Sequence, residues 1–429
     1  MLHLVVVWSR HEPERVGEVC AITRSALLGR GPEIEAGDPP KLELVRQRPG
    51  GNEARGALSS PKLSRRQWLI EPKGEQALFV RNVGQRKLLH NGRVCVECNA
   101  EPGDTLSADG VLTCFVERRA KVLPGAVRDG FPFGAADRDG IVGESPAAWL
   151  LRAVLDDVAA SNAHALILGE SGAGKELCAN AIHRRAGHES AFVTRNAATI
   201  PESLVEAELF GTAANFPNPG TPARKGLVAT ANGGTLFLDE IAELAERQQA
   251  NLLRVLDAGE YQRLGEDAQR TSRFRLLAAT NREPGALKHD FLARFAERVT
   301  LPGLNQRRAD IPLLIRHLLP QVASTEDALH PNLIDALLRH RYTHHFRELD
   351  RLLRLARRTS AAGRLELTRE LETELDLPQP ARTPTAQEIR KALSAGASLA
   401  ESAAHLGLPS RYALYRLLKK HGIASTEEE

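Results

Sequence analysis

The residues with the most specific chemical pattern lie near the middle of this 429-residue chain. The segment Gly169-Glu-Ser-Gly-Ala-Gly-Lys175 fits the pattern G-x-x-x-x-G-K, directly after the apolar run Ala165–Leu168 and before a helical stretch that begins at Leu177. In that context, glycines let backbone N–H groups converge on phosphate oxygens at a helix N-terminus, and the lysine neutralises the β and γ oxygens. The pattern predicts a nucleoside triphosphate site whose ligands are Gly169, Glu170, Ser171, Gly172, Ala173, Gly174 and Lys175.

Two adjacent carboxylates end a later apolar run, Thr235–Leu238. At the end of such a strand, one carboxylate holds Mg²⁺, directly or through water, and the next polarises the attacking water. These are the roles predicted for Asp239 and Glu240. A glycine-rich turn or an acidic strand end alone can have a purely structural origin, but the two in this order indicate one site for the nucleotide and its metal ion.

These residues require a parallel sheet to bring them together. Strand-like and helical stretches alternate over 140–305, which is typical of a parallel α/β domain. Short β-type runs before it predict an all-β sandwich, and helically spaced apolar residues after it predict an α-helical lid. The β-type runs are Leu2–Trp8, Ala26–Leu28, Gln67–Ile70, Ala77–Val80, Val94–Cys98 and Val111–Val116. The predicted organisation is multidomain: a sandwich (1–119), a linker (120–139), a P-loop α/β subdomain (140–305), its helical lid (306–376), a second linker (377–384) and an all-α helix-turn-helix module (385–424).

Composition excludes several classes of protein. Lys+Arg 57 against Asp+Glu 54 gives a net charge of +3, which argues against a histone-like or polybasic coat protein. The apolar runs are strand-sized, far below the roughly 18 residues of a membrane span, so we expect a cytoplasmic protein without membrane contact. The five cysteines are an odd number in a long chain and do not suggest a disulfide framework.

The central motifs resemble the AAA+ ATPase domain of bacterial enhancer-binding proteins, the activators of sigma-54 RNA polymerase. The resemblance covers Ile141 to about Arg357 and includes Glu176 directly after the P-loop lysine, so it adds Glu176 to the predicted nucleotide ligands. Its further motifs are Glu208-Leu-Phe-Gly211, Gly233-Gly-Thr-Leu-Phe-Leu-Asp-Glu-Ile241 and Ala278-Ala-Thr-Asn281. It implies ATP and Mg²⁺ as ligands, a ring-shaped homo-oligomer, and hydrolysis that remodels a partner protein. It also implies adenine contact by Val142 and Gly143, nucleotide sensing by Thr280, Asn281 and Arg347, and restraint of the catalytic glutamate by Asn196.

Two segments depart from the family's pattern. Where the family carries a GAFTGA loop that contacts sigma-54, this chain reads Asn215-Phe-Pro-Asn-Pro-Gly220 and lacks the central threonine. Proline fixes φ and removes a donor, so we expect a stiffer loop. Where the family places two arginines to reach a neighbouring subunit's γ-phosphate, this chain has Lys288 and Arg294. Because lysine lacks the planar guanidinium, Arg294 is the expected catalytic residue at the subunit interface.

The C-terminal module is predicted to bind DNA. Leu399–Pro409 and Ser410–Ile423 read as helix, tight glycine turn and second helix, and they resemble the Fis-type module of the same activators. The second helix would bury Leu414, Leu417 and Leu418 and present basic and aromatic residues to the major groove and phosphates. The expected DNA-contacting residues are Ser410, Arg411, Tyr412, Tyr415, Arg416 and Lys419. The alternative is a basic amphipathic hairpin that packs on the lid.

The β-rich N-terminal region resembles a forkhead-associated (FHA) sandwich, through Leu28-Gly-Arg30, Leu63-Ser-Arg-Arg-Gln67 and His90-Asn-Gly92. The resemblance implies that Arg30, Ser64 and Arg65 contact the phosphate of a phosphothreonine protein, for which arginine is well suited. However, the family's S-x-N-G-T motif aligns with Gly84-Gln-Arg-Lys-Leu88, and Gln67 replaces the usual histidine. Ordinary protein contact by an FHA-like sandwich stays the alternative.

The sequence thus predicts a DNA-bound transcriptional regulator of the sigma-54 activator type, with an FHA-like domain that gates ATP-dependent ring assembly. One alternative is a regulator that uses ATP as an assembly switch and never contacts sigma-54. Another is a phosphopeptide-recruited signalling scaffold with a vestigial ATPase.

Overall fold

The computed structural model describes residues 1–32, 35–127, 130–187, 190–319, 328–361, 363–377 and 386–394, together with Ser402, Leu406, Leu414, Leu418 and Ile423. The chain divides into two compact units, Met1–Asp376 and Leu377–Glu429. Among the described residues, no helix combines the length and apolarity needed to cross a lipid bilayer.

In the N-terminal part of the first unit, the described residues form twelve antiparallel strands in two sheets. The larger sheet has the order β5-β4-β2-β1-β12-β11-β8-β9 and the smaller one β10-β7-β6-β3. The strands are β1 (Leu2–Ser9), β2 (Val19–Ala21), β3 (Ala26–Leu28), β4 (Leu44–Arg48), β5 (Gly51–Gly56), β6 (Trp68–Lys73), β7 (Ala77–Asn82), β8 (Leu88–His90), β9 (Arg93–Cys95), β10 (Glu97–Ala100), β11 (Thr105–Ala108) and β12 (Leu112–Arg118).

The two sheets agree with the expected all-β sandwich, but several strands differ from the prediction. The run Val94–Cys98 is two strands in different sheets, because the chain passes from one sheet to the other at Val96. The sequence analysis missed β2, β4, β5, β8 and β11. Of these, β2 and β8 have three residues each and β11 four, while β4 and β5 are rich in Arg, Gln and Glu and lack the alternation of apolar residues that marks a half-buried strand.

The central part of the first unit is a five-stranded parallel sheet with the order β14-β17-β20-β13-β21. Alternate residues of its inner strands enter two separate cores; Leu166 and Leu236 lie in one, and Ile167 and Phe237 in the other. Both faces of the sheet are therefore covered, as in other parallel sheets. The strands of this part, including two short pairs, are β13 (Ala165–Leu168), β14 (Phe192–Asn196), β15 (Gly211–Thr212), β16 (Arg224–Lys225), β17 (Thr235–Asp239), β18 (Glu260–Tyr261), β19 (Arg270–Thr271), β20 (Arg275–Thr280) and β21 (Glu297–Thr300).

The helices cover this sheet and then form the lid. They are α1 (Pro146–Ser161), α2 (Lys175–Arg185), α3 (Val205–Phe210), α4 (Leu227–Thr230), α5 (Glu246–Ala258), α6 (His289–Leu292), α7 (Ile311–Leu318), α8 (Pro331–Arg339), α9 (His345–Thr359) and α10 (Arg369–Glu374). A further helix, α11 (Ala386–Ser394), belongs to the second unit. Local sequence sets their limits: Ser145 caps α1 by accepting from the Ala148 N–H, with proline next to it, and Gly259 ends α5 in the left-handed conformation.

The lid packs against the sandwich as well as against the P-loop domain. Every residue of β1 is buried, because α8 covers the strand on one side. The indole Nε1–H of Trp8 donates to the carbonyl oxygen of Leu329 at 2.9 Å, and the hydroxyl of Thr105 donates to the carboxylate of Asp335 on α8. The sandwich and the lid are thus joined by direct polar contacts.

The second unit contains α11 and a small apolar cluster. Ile389, Leu414 and Leu418 are buried together, as expected for a small helical module with Leu414 and Leu418 inside. Leu417 and the predicted DNA-contacting residues lie outside the described residues; these residues are Ser410, Arg411, Tyr412, Tyr415, Arg416 and Lys419.

Candidate nucleotide site

The glycine-rich segment forms the loop between β13 and α2. Gly172 and Gly174 have φ of +80° and +93°, a conformation that favours glycine. Gly174 immediately precedes α2, so backbone N–H groups at the helix start face the same space as the Lys175 side chain. The Lys175 ammonium is almost fully buried and donates to the carbonyl oxygen of Gly169 at 3.1 Å. A buried cation beside the N–H groups of a helix start is the chemistry that binds a polyphosphate.

Asp239 and Glu240 lie at the end of β17, and the fold brings them to Lys175. The Glu240 carboxylate is 3.5 Å from the Lys175 ammonium and accepts from the backbone N–H of Asn281 at 3.4 Å. Burial raises the pKa of Asp239, while the positive charge of Lys175 acts in the opposite direction. Glu240 has a φ of +51°, which is uncommon for a residue with a side chain and is concentrated at functional sites.

The lid contacts the P-loop through the start of α9. The backbone N–H of Phe346 donates to the Gly172 carbonyl oxygen at 3.2 Å, and the Arg347 guanidinium donates to the Ser171 hydroxyl at 3.3 Å. The His345 ring lies 3.0 Å from the carboxylate of Glu170. Arg347, which the family resemblance implied as a nucleotide-sensing residue, therefore lies at the glycine-rich loop.

Val142 and Gly143 lie in a segment that two buried arginines hold by its carbonyl oxygens. Arg152 on α1 donates to the carbonyl oxygens of Ile141 and Gly143 at 2.7 and 2.9 Å, and Arg307 donates to that of Val142. A Cβ on Gly143 would lie 2.4 Å from an Arg307 nitrogen, and its φ is +130°, so only glycine fits here. The backbone of the predicted adenine-contacting segment is thus fixed from two sides.

Asp310 connects this segment to the lid. Its carboxylate accepts from the backbone N–H groups of Glu144 and Ser145 at 2.8 Å each, from the Ser145 hydroxyl at 2.6 Å and from Arg307 at 3.0 Å. The sequence analysis missed Arg152, Arg307 and Asp310. The only local signal was an arginine and an aspartate three residues apart before a helix, which is too common to single out.

The remaining predicted residues of the site occupy three places. Thr280 is fully buried at the end of β20, and Asn281 follows it beside Glu240. Asn196 ends β14 next to Asp239 in the sheet register, but its side chain accepts from the Ala198 N–H at 2.9 Å. Arg294 lies on the surface and forms two hydrogen bonds with Asp257 of its own chain.

The loop that replaces GAFTGA is closed on itself and held against a second loop. The side-chain oxygen of Asn215 accepts from the Gly220 N–H at 2.8 Å, and the backbone N–H of Asn215 donates to the Thr221 carbonyl oxygen at 2.7 Å. The Phe216 ring lies against Gly265, where an added Cβ would meet it at 2.4 Å. The Ala213 N–H donates to the Leu264 carbonyl oxygen.

In the sandwich, Arg30, Ser64 and Arg65 lie on adjoining loops. The Arg30 N–H donates to the Ser64 carbonyl oxygen at 2.9 Å, and the Ser64 hydroxyl accepts from the Gln85 N–H at 2.9 Å. Gly29 is required here, because a Cβ would lie 2.1 Å from the Arg65 carbonyl oxygen. Gln67 is fully buried and its side-chain amide donates to Asn82 and to the Arg86 carbonyl oxygen at 2.8 Å each, which ties these loops to the strands.

The strand order, the loop after β13 and the carboxylates after β17 define the central part of the chain as a P-loop α/β domain. Residues 141–298 match the family model of the sigma-54 interaction domain, so the chain carries a domain of this type.

The similarity to curated proteins covers about half of the chain. It is 38% identical over 248 residues to the DNA-binding transcriptional regulator NtrC of Klebsiella pneumoniae, which is 55% of this chain and 52% of that protein. It is 40% identical over 222 residues to the Nif-specific regulatory protein of Bradyrhizobium diazoefficiens, 49% of this chain and 38% of that protein. A solved structure of NtrX from Brucella abortus in complex with ADP is 30% identical, with a TM-score of 0.48 over 66% of this chain and 70% of that one. The chain therefore spans about half the length, or less, of these curated relatives.

Proposed function

We propose that this protein is an ATP-dependent transcriptional regulator of the sigma-54 activator type, whose P-loop domain binds and hydrolyses ATP between subunits of a ring. The observation that carries the proposal is the meeting of Lys175 and Glu240, which are far apart in the sequence, 3.5 Å from each other at the P-loop of a sigma-54 interaction domain.

The residues at this site fit ATP and Mg²⁺. The left-handed glycines give the loop the turn at which backbone N–H groups can bind phosphate oxygens, Lys175 supplies a buried positive charge, and Asp239 supplies a half-buried carboxylate for the metal ion. Bound ATP–Mg²⁺ would contribute the phosphoanhydride bond and the metal's charge. Glu240 would then leave Lys175, orient a water molecule and accept its proton, while Asn281 and Arg347 hold the two sides of the phosphate site.

The test of this activity is steady-state ATP turnover against protein concentration. Wild-type turnover should rise steeply with concentration, because a site shared between subunits forms only on assembly. Glu240→Gln should abolish turnover and retain ATP binding, and Lys175→Ala should lose binding. Glu243→Gln is the matched control, since Glu243 forms an ion pair with Arg282 and does not contact Lys175. Loss of that ion pair should leave ATP turnover unchanged. Tight binding without turnover in wild type would contradict the ATPase proposal.

DNA binding and sigma-54 contact are the finer parts of the proposal. They are supported by the family match of residues 141–298 and by relatives that are named as transcriptional regulators. Sigma-54 contact is tested by pull-down of sigma-54 RNA polymerase with the protein trapped by a transition-state analogue of ATP. DNA binding is tested by the Arg416→Ala variant, which should lose DNA affinity and retain ATP turnover.

One observation favours a second candidate, a DNA-binding regulator that uses ATP as an assembly switch without sigma-54 contact. The loop Asn215–Gly220 is bonded to itself and packed on Gly265, whereas a loop that reaches a partner must extend from the domain. Capture of sigma-54 in the pull-down would exclude this candidate. ATP-dependent assembly with DNA binding and no capture would support it.

The FHA-like sandwich is proposed to gate assembly by binding a phosphothreonine protein. Arg30, Ser64 and Arg65 lie on adjoining loops, so their side chains can converge on one phosphate. Fluorescence anisotropy with a phosphothreonine peptide library should detect binding that Arg30→Ala abolishes and Arg81→Ala, on a strand outside these loops, does not. Equal binding of phosphorylated and unphosphorylated peptides would contradict it. Peptide binding without DNA binding would favour the signalling scaffold.

A further inference from the structure

We propose that Asp257 is the positioning residue for Arg294, which it holds in place for action on the ATP bound by the neighbouring subunit. The assignment rests on the proposed function, in which ATP is hydrolysed between subunits and Arg294 is the catalytic arginine of the interface.

The contact between the two side chains is bidentate. Nε–H of Arg294 donates to one oxygen of Asp257 at 2.5 Å, and Nη2–H donates to the other at 2.9 Å. This pairing uses one edge of the guanidinium and leaves the N–H groups of Nη1 on another edge. The same arginine can therefore bind Asp257 and a phosphate oxygen at the same time.

Buried neighbours fix the backbone on both sides of the pair. Phe291 and Phe295 are buried in the core with their rings in edge-to-face contact, so Arg294 between them must project outward. Asp257 is in the last turn of α5, directly after Val255 and Leu256, which pack into the same core. The two side chains thus start from rigid positions, and the pair is about half exposed, at 45% and 41% for arginine and aspartate.

The physical consequence is a smaller loss of side-chain freedom at the interface. An unpaired surface arginine samples many rotamers, and a misplacement of about 1 Å can lower a rate by about 100-fold. Asp257 selects one orientation before the neighbouring subunit arrives. Lys288, at the position of the family's other interface arginine, is held less firmly. Its ammonium lies 3.1 Å from the carboxylate of Glu246, which is 80% exposed, and a lysine makes no bidentate contact.

The test uses mixtures of inactive subunits. Subunits with Arg294→Ala bind ATP beside an intact Glu240 but offer no Arg294 to their neighbour, and subunits with Glu240→Gln do the reverse. Mixed rings should therefore recover turnover only at interfaces where an Arg294→Ala subunit binds ATP and a Glu240→Gln subunit supplies Arg294. Asp257→Ala added to the Glu240→Gln subunits should lower the recovered kcat about 10-fold or more, with the KM for ATP unchanged. Added to the Arg294→Ala subunits, the same substitution should have no effect. Asp257→Asn, which keeps one acceptor, should give an intermediate kcat.

Glu246→Ala in the Glu240→Gln subunits is the control, and it should leave kcat unchanged. Sedimentation velocity would verify that all mixtures form rings to the same extent. An equal effect of Asp257→Ala in both kinds of subunit, or a higher kcat, would overturn the assignment. If the mixture without Asp257→Ala recovers no turnover although the wild type is active, the assumed role of Arg294 is wrong and the assignment falls with it. Absence of turnover in the wild type would refute the proposed function itself.

Discussion

Replacement of Asp310 by alanine should loosen the start of α1 and the segment before it. The carboxylate of Asp310 is almost fully buried and accepts four hydrogen bonds, from two backbone N–H groups, the Ser145 hydroxyl and Arg307. Alanine leaves both N–H groups without a partner and leaves the buried guanidinium of Arg307 without its counter-charge.

The magnitude follows from the burial of the pair. Removal of one partner of a buried ion pair costs about 3–5 kcal/mol. Arg307 keeps its contact with the Val142 carbonyl oxygen, so we take the lower end, about 3 kcal/mol. If this loss of stability is confined to α1 and the segment before it, the equilibrium constant for local unfolding of that segment rises about 150-fold.

Hydrogen–deuterium exchange measured by mass spectrometry on peptides from 141–161 is the appropriate assay, because it reports the opening of this segment alone. Asp310→Ala should accelerate exchange there about 150-fold. In the double variant Asp310→Ala with Arg307→Met the isolated charge is gone, so exchange should be slower than in the single variant.

Asp350→Ala is the control, because Asp350 forms an exposed pair with Arg354 on α9 and its loss should change exchange little. Acceleration of less than about 5-fold in Asp310→Ala, or acceleration spread evenly over the chain, would refute the local role assigned to Asp310.

Three further predictions concern other contacts of the first unit. Arg48→Ala should accelerate hydrogen–deuterium exchange about 10-fold or more in 130–145, since it removes two hydrogen bonds to the buried carboxylate of Glu144. Unchanged exchange would show that Arg48 of the sandwich does not stabilise this segment. Gly172→Ala should lower the free energy of unfolding more than Gly187→Ala. Both glycines have positive φ, but only at Gly172 would the Cβ lie 2.3 Å from the carbonyl oxygen of His344 in the lid. Equal shifts of the melting temperature in the two variants would contradict this. Burial lowers the pKa of His3 from 6.5 to about 4, so the unfolded chain binds the proton more tightly and stability should fall by up to about 3 kcal/mol as pH drops from 6.5 to 4. Urea titrations of His3→Phe should lack this part of the pH dependence; an identical slope in both proteins would refute it.

The N-terminal strands show where prediction from sequence weakens. Strands with buried alternate residues, such as Trp68–Lys73, have an apolar pattern that marks them. Leu44–Arg48 is a polar strand because neighbouring strands bind its backbone, and one of these pairings, Val45 with Val19 of β2, joins residues far apart in the chain.

The sequence by itself determined the chemistry of the phosphate site. A glycine-rich loop, a lysine and a helix start are adjacent in the chain, and their φ preferences and charges act over a few residues, so Gly169–Lys175 could be interpreted without the fold. The alternation of strand-like and helical stretches over 140–305 likewise predicted a parallel sheet, and the order of Lys175 and Asp239-Glu240 predicted that they share one site.

Only the tertiary structure decided which groups surround that site. Arg307 and Asp310 reach Val142 and Ser145. These two contacts join positions that lie far apart in the chain, and the residues involved are common types with no pattern of their own. Hydrogen bonds depend on distances of about 3 Å and on burial, which packing of the lid and helices sets and spacing along the chain does not.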